Sequence, residues 1–598
     1  MSAGPIRPSS TAHTVLHPVT PARISGGFWA ARRRTNAEVS IPQGPRRLEE
    51  AGNLGNLRAA ATGDGDFTGD FPFQDSDVHK WLEAASWQLA DPDATGDGRL
   101  ASDVDRLTAL LGAAQDPDGY LQTYYQVARP GLRWQELDWG HELYCAGHLI
   151  QAAVAHHRST GGRELLAVAE RFAAHIDSVF GTDRRVDGVC GHPGIETALV
   201  ELHRETGERR WLDLAAYFVE RRGHGLLGDG EKSFPGAAYW QDHTPVREAE
   251  TVTGHAVRQL YLLAGATDLA AETGDRSLRD ASVRLWDAMV ATKTYLTGGL
   301  GARHELESFG DPYELPPHRA YAETCAAIAS IQWSWRLALL TGEARYSDLI
   351  ERTLFNGFLA GAGLDGDSWL YVNPLQVREG YEGHRDDQSA RRTPWFRCAC
   401  CPPNVMRLLA SLPHYVASTG ADREGVQLHQ YATGTYGPVS VRTDYPWDGR
   451  IAVTAVRPGT WTLSLRIPAW CSGATLDGAP VAAEAGWLRV RRDWQRGETV
   501  VLDLPMEPRL THPDPRVDAV RGCVAIERGP VVYCLESADQ TRRLDTVALD
   551  RETPLRAGHR PELLGGVTVV TAGELTAVPY AVWANRGAGA MRVWIPTA

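Results

Sequence analysis

HHRSTGGRELLAVAERF, residues 156–172, holds the pattern that decides the fold: a helix end, a Thr-Gly turn and a new amphipathic helix. The same arrangement recurs in LHRETGERRWLDLAAYF (202–218), LAAETGDRSLRDASVRL (269–285) and LALLTGEARYSDLIERT (337–353). Glycine just past a helix end takes the left-handed conformation that closes the last turn, so each copy predicts a helical hairpin. Gly161, Gly207, Gly274 and Gly342 are 46, 67 and 68 residues apart, a spacing suited to stacked helix pairs with some long loops. Val104, Leu107, Leu110 and Leu111 add helical spacing upstream. Residues from about 75 to 417 therefore predict a toroid of helical hairpins, since the repeats are too many for a four-helix bundle.

Near Gly420 the period changes. WTLSLRIP (461–468) alternates Leu463, Leu465 and Ile467 with polar residues, and GWLRVRRDW, ETVVLDLP and CVAIERGPVVYCLE follow between Gly, Pro and Asp turns. Period two with frequent turns predicts β-sandwich modules. The expected fold class is multidomain, α then β. Residues 1–30 are expected to be an N-terminal segment pairing with the β part, 31–420 the helical domain, and 421–598 a β-sandwich region of two modules.

Composition narrows the function. The 598 residues carry a net charge of −13, with only Lys80, Lys232 and Lys293 as lysines and arginines scattered throughout. No basic run tracks a phosphate backbone or an anionic bilayer, so nucleic-acid and membrane partners are not expected. The N-terminal residues lack a signal-peptide core and no apolar run is of spanning length, so a cytoplasmic location is expected. Nine cysteines are too few for a disulfide framework at this length.

Their placement carries the chemistry. FRCACCPPN (396–404) puts Cys398, Cys400 and Cys401 before two prolines that suit the first turn of a helix. Thiols there would feel the dipole that favours thiolate. Clustered thiols are more often metal ligands or catalysts than small buried hydrophobes, the ordinary alternative. YAETCAAIASIQWSW (321–335) adds Glu323 and Cys325, which can share one ligand only if a helix begins there, since two residues inside a helix point about 200° apart. Glu323, Cys325, Cys400 and Cys401 would make a four-coordinate zinc site of three sulfurs and one oxygen, with Cys398 a spare ligand.

GGLGARHELESFGDPYELP (298–316) carries Glu305, Glu307, Asp311 and Glu314 in a Gly/Pro-rich loop, a setting for a catalytic acid as well as for a solvated acidic loop. His141 and His148 in WGHELYCAGH, His192 in GHPGIETALVEL and His255 in TGHAVRQLYLL stand in polar settings. Three of them at predicted helix starts suggest a shared pocket. Nineteen tryptophans and nineteen tyrosines supply flat surface for sugar stacking, although core packing is their usual use.

Taken together, the GARHELESFGDPYELP stretch, AYAETC, YVNPL (371–375), CACCPPN and the closing AIERGPVVYCLE and VWANRGAGAMRVWIP resemble glycoside hydrolase family 127, the β-L-arabinofuranosidase family. The likeness runs from about residue 25 to the end. It implies an (α/α)6 toroid followed by β-sandwich domains, and a retaining exo-glycosidase whose nucleophile is a zinc-bound thiolate. By motif, Cys400 resembles the nucleophile and Glu307 the general acid/base, with Glu323, Cys325, Cys400 and Cys401 as the Zn2+ ligands. His141, His192, His255, Glu351 in LIERTLFN and Tyr371 resemble the sugar contacts. IPQGPRRLEE (41–50) departs from the family's usual stretch, and Gln43 matches it only loosely. The resemblance implies a small oligosaccharide or glycoside as substrate and, at family level, a homodimer through a β-sandwich. The other readings are a family member acting on a different furanoside and a non-catalytic carbohydrate-binding protein with structural zinc. A retained Glu307 argues against the last, because a binding module needs no acid there.

Overall fold

The hairpin glycines cap helices as the repeat requires: Gly161, Gly207, Gly274 and Gly342 have φ of 78°, 76°, 72° and 77°. The protein is described by a computed structural model covering residues 4–91, 98–228, 235–381, 391–420, 424–482 and 485–598. Its helices are α1 (Gly27–Thr35), α2 (Ile41–Glu50), α3 (Asn53–Thr62), α4 (Asp75–Leu89), α5 (Arg99–Ala114), α6 (Glu142–Thr160) and α7 (Glu164–Val179). They continue with α8 (Ile195–Thr206), α9 (Arg209–Arg221), α10 (Ala256–Thr273), α11 (Arg276–Thr292), α12 (Thr324–Thr341), α13 (Arg345–Thr353) and α14 (Cys401–Ser411). The chain forms two compact units.

The first unit comprises Met1–Thr14, Asn36–Ala288 and Arg397–His414. In it α4, α6, α8 and α10 pack in series and α14 packs on α4. Helices α4 and α10 are buried along almost their whole length, polar residues included, as expected of inner helices. Helix α7 instead buries one stripe, Leu165, Leu166, Ala169, Phe172, Ala173 and Ile176, and lies against α5 and α6. Glycines let the inner helices meet closely. A Cβ at Gly147 of α6 would fall 2.8 Å from the Gly194 carbonyl oxygen, and one at Gly265 of α10 would fall 2.6 Å from Glu196 Cβ.

The second unit comprises Val15–Thr35, Met289–Phe396 and Tyr415–Ala598. A five-stranded sheet begins with Leu16–Pro18 beside Ala417–Gly420 and ends in the long antiparallel pair Gly459–Ile467 and Gly486–Trp494. A seven-stranded sheet takes in Ala22–Ile24 against Gly434–Tyr436. The third sheet contains Cys523–Arg528 and Val531–Glu536. Alternation along these two strands sorts their side chains between two cores. Val524, Ile526, Val531, Tyr533 and Leu535 enter one, while Ala525, Val532 and Cys534 enter the other with Tyr295, Ala302, Ala322 and Leu370. That second face of the sheet thus carries the loops that hold Glu307 and Glu323.

Candidate active site

Three inner helices of the first unit start at histidines. His141 caps α6 with φ +53°, His255 caps α10, and His192 stands three residues before α8. Their rings form a row, with centroids 5.5 Å apart from His141 to His192 and 5.8 Å from His192 to His255. Tyr144, one turn into α6, lies 4.1 Å from His192. Arg258, one turn into α10, donates to His141 Nε2 at 3.3 Å, and its guanidinium lies over Trp240 and Tyr239, 4.5 and 4.8 Å from their centroids.

These contacts assign the tautomers. A guanidinium only donates, so Nε2 of His141 accepts and Nδ1 carries the proton; that atom is buried with no hydrogen-bond partner among the described residues. His192 Nδ1 stands 2.8 Å from the Pro193 carbonyl, so it donates there and Nε2 is the acceptor. Burial, then the Arg258 charge, pushes both imidazoles well below the ordinary histidine range, so they are neutral at physiological pH. A neutral donor beside a neutral acceptor suits sugar hydroxyls, which do both.

Cys400 caps α14 and Cys401 is its first residue, followed by Pro402 and Pro403, whose missing N–H groups cost nothing in a first turn. The two sulfurs are 3.8 Å apart, Cys400 partly exposed and Cys401 fully buried. Arg407, two turns on, fixes this helix. It donates to Glu83 of α4 at 2.7 Å, Gln151 of α6 at 2.8 Å and the Tyr261 hydroxyl of α10 at 3.1 Å.

In the second unit Glu323 is the cap of α12, with extended ψ of 137°, and Cys325 lies in the first turn, so the helix does begin between them. Thr324 N–H donates to the Tyr371 carbonyl at 3.0 Å. Asn373 donates to the Ala322 carbonyl and to Thr324 Oγ1, each at 2.9 Å, and Tyr580, just after the strand Leu575–Pro579 of the third sheet, donates to the Asn373 carbonyl at 2.9 Å. The Tyr371 ring is buried against Phe396, centroids 5.6 Å apart. Glu307 ends a single 3-10 turn, and both it (φ +54°) and Leu306 (φ +70°) are left-handed, a conformation that costs energy for residues with a Cβ. Of the other acids in that loop, Glu305 pairs with Arg319, and Asp311 and Glu314 pair with Arg303.

Among the described residues, Glu323, Cys325, Cys400 and Cys401 form a group that could hold a metal ion. Three thiols and one carboxylate fit a borderline-soft divalent cation better than calcium or magnesium, which take oxygens. Cys398 is outside this group. Burial pushes the Cys190 thiol up to about 11 and raises the Cys145 thiol well above the ordinary value, which leaves both as inert core residues. Gln43, on α2, accepts from Arg47 at 3.3 Å. Glu351 enters a buried network of its own, accepting from Tyr445 at 2.6 Å, Trp470 at 2.9 Å and the Arg466 guanidinium.

Arg258, Arg407 and Asn373 were not singled out from sequence. Arginines inside otherwise apolar helices, as in TGHAVRQLYLL and NVMRLLA, were the available signal, since a buried cation needs several partners.

The GH127 β-L-arabinofuranosidase catalytic-domain family matches residues 22–414, its middle domain 427–506 and its C-terminal domain 508–596. A non-reducing end β-L-arabinofuranosidase of Bifidobacterium longum subsp. longum is 35% identical over an alignment spanning 96% of this chain and 99% of the relative. The crystal structure of a GH127 β-L-arabinofuranosidase from Geobacillus stearothermophilus T6 superposes with a TM-score of 0.91 at 37% identity, covering 97% of this chain and all of that one. A further solved GH127 β-arabinofuranosidase gives 0.90 at 34% identity, covering 99% of both chains. The fold is therefore a helical (α/α)6 catalytic domain followed by β-rich domains, and the chain belongs to glycoside hydrolase family 127.

Proposed function

We propose that this glycoside hydrolase releases terminal β-L-arabinofuranose from small glycosides with retention, using Cys400 as nucleophile and Glu307 as general acid/base. The observation that carries the reading is the Glu323, Cys325, Cys400 and Cys401 group, an assembly of donors that a carbohydrate-binding module does not need. In this reading the four residues hold one zinc ion, which when bound keeps the coordinated thiols ionised at neutral pH without a dedicated base.

His141 and His192 orient the terminal sugar through its hydroxyls, with His255 and Tyr371 completing the contacts. The Cys400 sulfur attacks the anomeric carbon as the glycosidic bond breaks, and the Glu307 carboxyl gives its proton to the departing oxygen. A thioglycoside to Cys400 results. Glu307, now a carboxylate, takes a proton from water as that water attacks the same carbon and the sulfur departs, so two inversions give net retention. Its partial exposure favours Cys400 over the fully buried Cys401 as the attacking sulfur. Glu351, whose oxygens are used by Tyr445, Arg466 and Trp470, supports the scaffold in this reading.

Turnover of p-nitrophenyl β-L-arabinofuranoside, with the first-formed sugar followed by NMR, tests the proposal. Release of β-L-arabinofuranose supports it. Activity confined to another furanoside, or binding without turnover, would overturn it.

A further inference from the structure

We propose that Trp139 is a stacking platform for the ring of the leaving-group sugar, a neutral saccharide ring bonded to the terminal one. The inference rests on the glycosidase reading above and extends it to a second subsite. Among the described residues Trp139 is the only tryptophan among the exposed large apolar side chains, 46% exposed, while its neighbour His141 is 2% exposed. The two rings lie near parallel, 25° apart with centroids at 6.4 Å, so Trp139 offers an exposed flat surface beside the histidine row. A pocket that takes a terminal sugar holds that ring deepest and leaves its substituent pointing outward. Trp139 is the exposed indole beside the buried row of rings.

The indole is also held still, as a platform must be. Its edge packs on Trp240 at 4.7 Å and 79°, and Arg258 lies 5.5 Å from its centroid, so one side is occupied by protein. The loop beneath is pinned: Gly140 N–H donates to the Glu136 carbonyl at 2.8 Å, Gly191 N–H to the Leu137 carbonyl at 2.6 Å, and the Tyr125 hydroxyl to Glu136 Oε2 at 2.7 Å. A surface indole on a loose loop would lose entropy on stacking; this one has little left to lose. Its open face offers the aromatic surface on which the C–H face of a sugar ring packs, and no charged group is needed to hold it.

The test compares two substrates, methyl β-L-arabinofuranoside, whose leaving group has no ring, and a disaccharide with the same terminal sugar on a second pentose. Trp139→Ala should lower the ratio of kcat/KM for disaccharide over methyl glycoside by about tenfold, mainly through KM. Trp139→Phe should lower it by less, because a smaller ring remains. Melting curves would verify that both variants fold. An equal loss on both substrates, or no loss on either, would overturn the platform, the first because Trp139 would then act only by supporting His141. Wild-type enzyme that turns over neither substrate would overturn the glycosidase reading and this proposal with it.

Discussion

Arg258 donates a hydrogen bond to His141 at 3.3 Å, and this contact decides which ring nitrogen of the histidine carries the proton. The arginine acts through the histidine, as a positioning residue. Without it Nε2 is released, the tautomer is no longer fixed, and the nearby positive charge that depresses the imidazole pKa is gone. Arg258→Leu should raise KM by roughly tenfold. It should also move the acid limb of kcat/KM to higher pH, because His141 then protonates more readily. A loss of activity at all pH values with an unmoved acid limb would show that the arginine only fills space.

Bound metal should be about one zinc per chain by elemental analysis, since one tetrahedral site uses all four residues of the thiol–carboxylate group. Cys325→Ser should lose the metal, whereas Cys190→Ser should keep it, as Cys190 lies in ordinary core. Metal-free protein with full activity would contradict the assignment.

Cys400→Ser should reduce turnover by at least about a thousandfold, the scale seen when a nucleophile is removed. A furanose-shaped electrophile should label one peptide, the one holding Cys400. Label on Cys401 would reassign the nucleophile despite its burial, and label on Glu323 would restore carboxylate chemistry.

Glu307→Gln cannot protonate a leaving oxygen. Alkyl arabinofuranosides should therefore slow by about two to four orders of magnitude, while an activated aryl glycoside slows far less in its first step. Azide should partly restore the second step by replacing water as the acceptor. Equal losses on both substrate types would point to Glu305 or Glu314, or to a structural role.

Burial raises the Glu142 carboxyl from 4.5 to about 7, against the opposing hydrogen bonds from the Tyr120 hydroxyl and Trp134 N–H. An acid whose folded pKa lies above its unfolded value contributes stability fully below about pH 4.5 and loses it as pH rises through about 7. Glu142→Gln keeps an oxygen for the same donors and does not ionise. Relative to wild type the variant should gain stability between pH 4.5 and 8, by up to about 3 kcal/mol. Denaturation midpoints at pH 4.5, 6 and 8 would show it; parallel pH profiles would refute it.

The helical hairpins and their capping glycines were legible in the sequence because helix periodicity and the left-handed cap are local properties of a few consecutive residues. The same holds for the start of α14, where Cys400, Cys401 and two prolines are adjacent in the chain, and for the break between Glu323 and Cys325. What the sequence did not determine depends on residues far apart in it. Glu351 resembles a sugar contact by motif, yet Arg466, 115 residues further on, takes one of its oxygens inside the protein. Arg407 reads as an isolated charge until α4, α6 and α10 converge on it with Glu83, Gln151 and Tyr261. Adjacent cysteines could not be ranked from spacing, since burial is a property of the packed chain, and only the tertiary structure leaves Cys400 open and Cys401 closed. The proton position on His141 belongs to the same class, because a neutral imidazole has two tautomers of similar energy and only the Arg258 donor chooses between them.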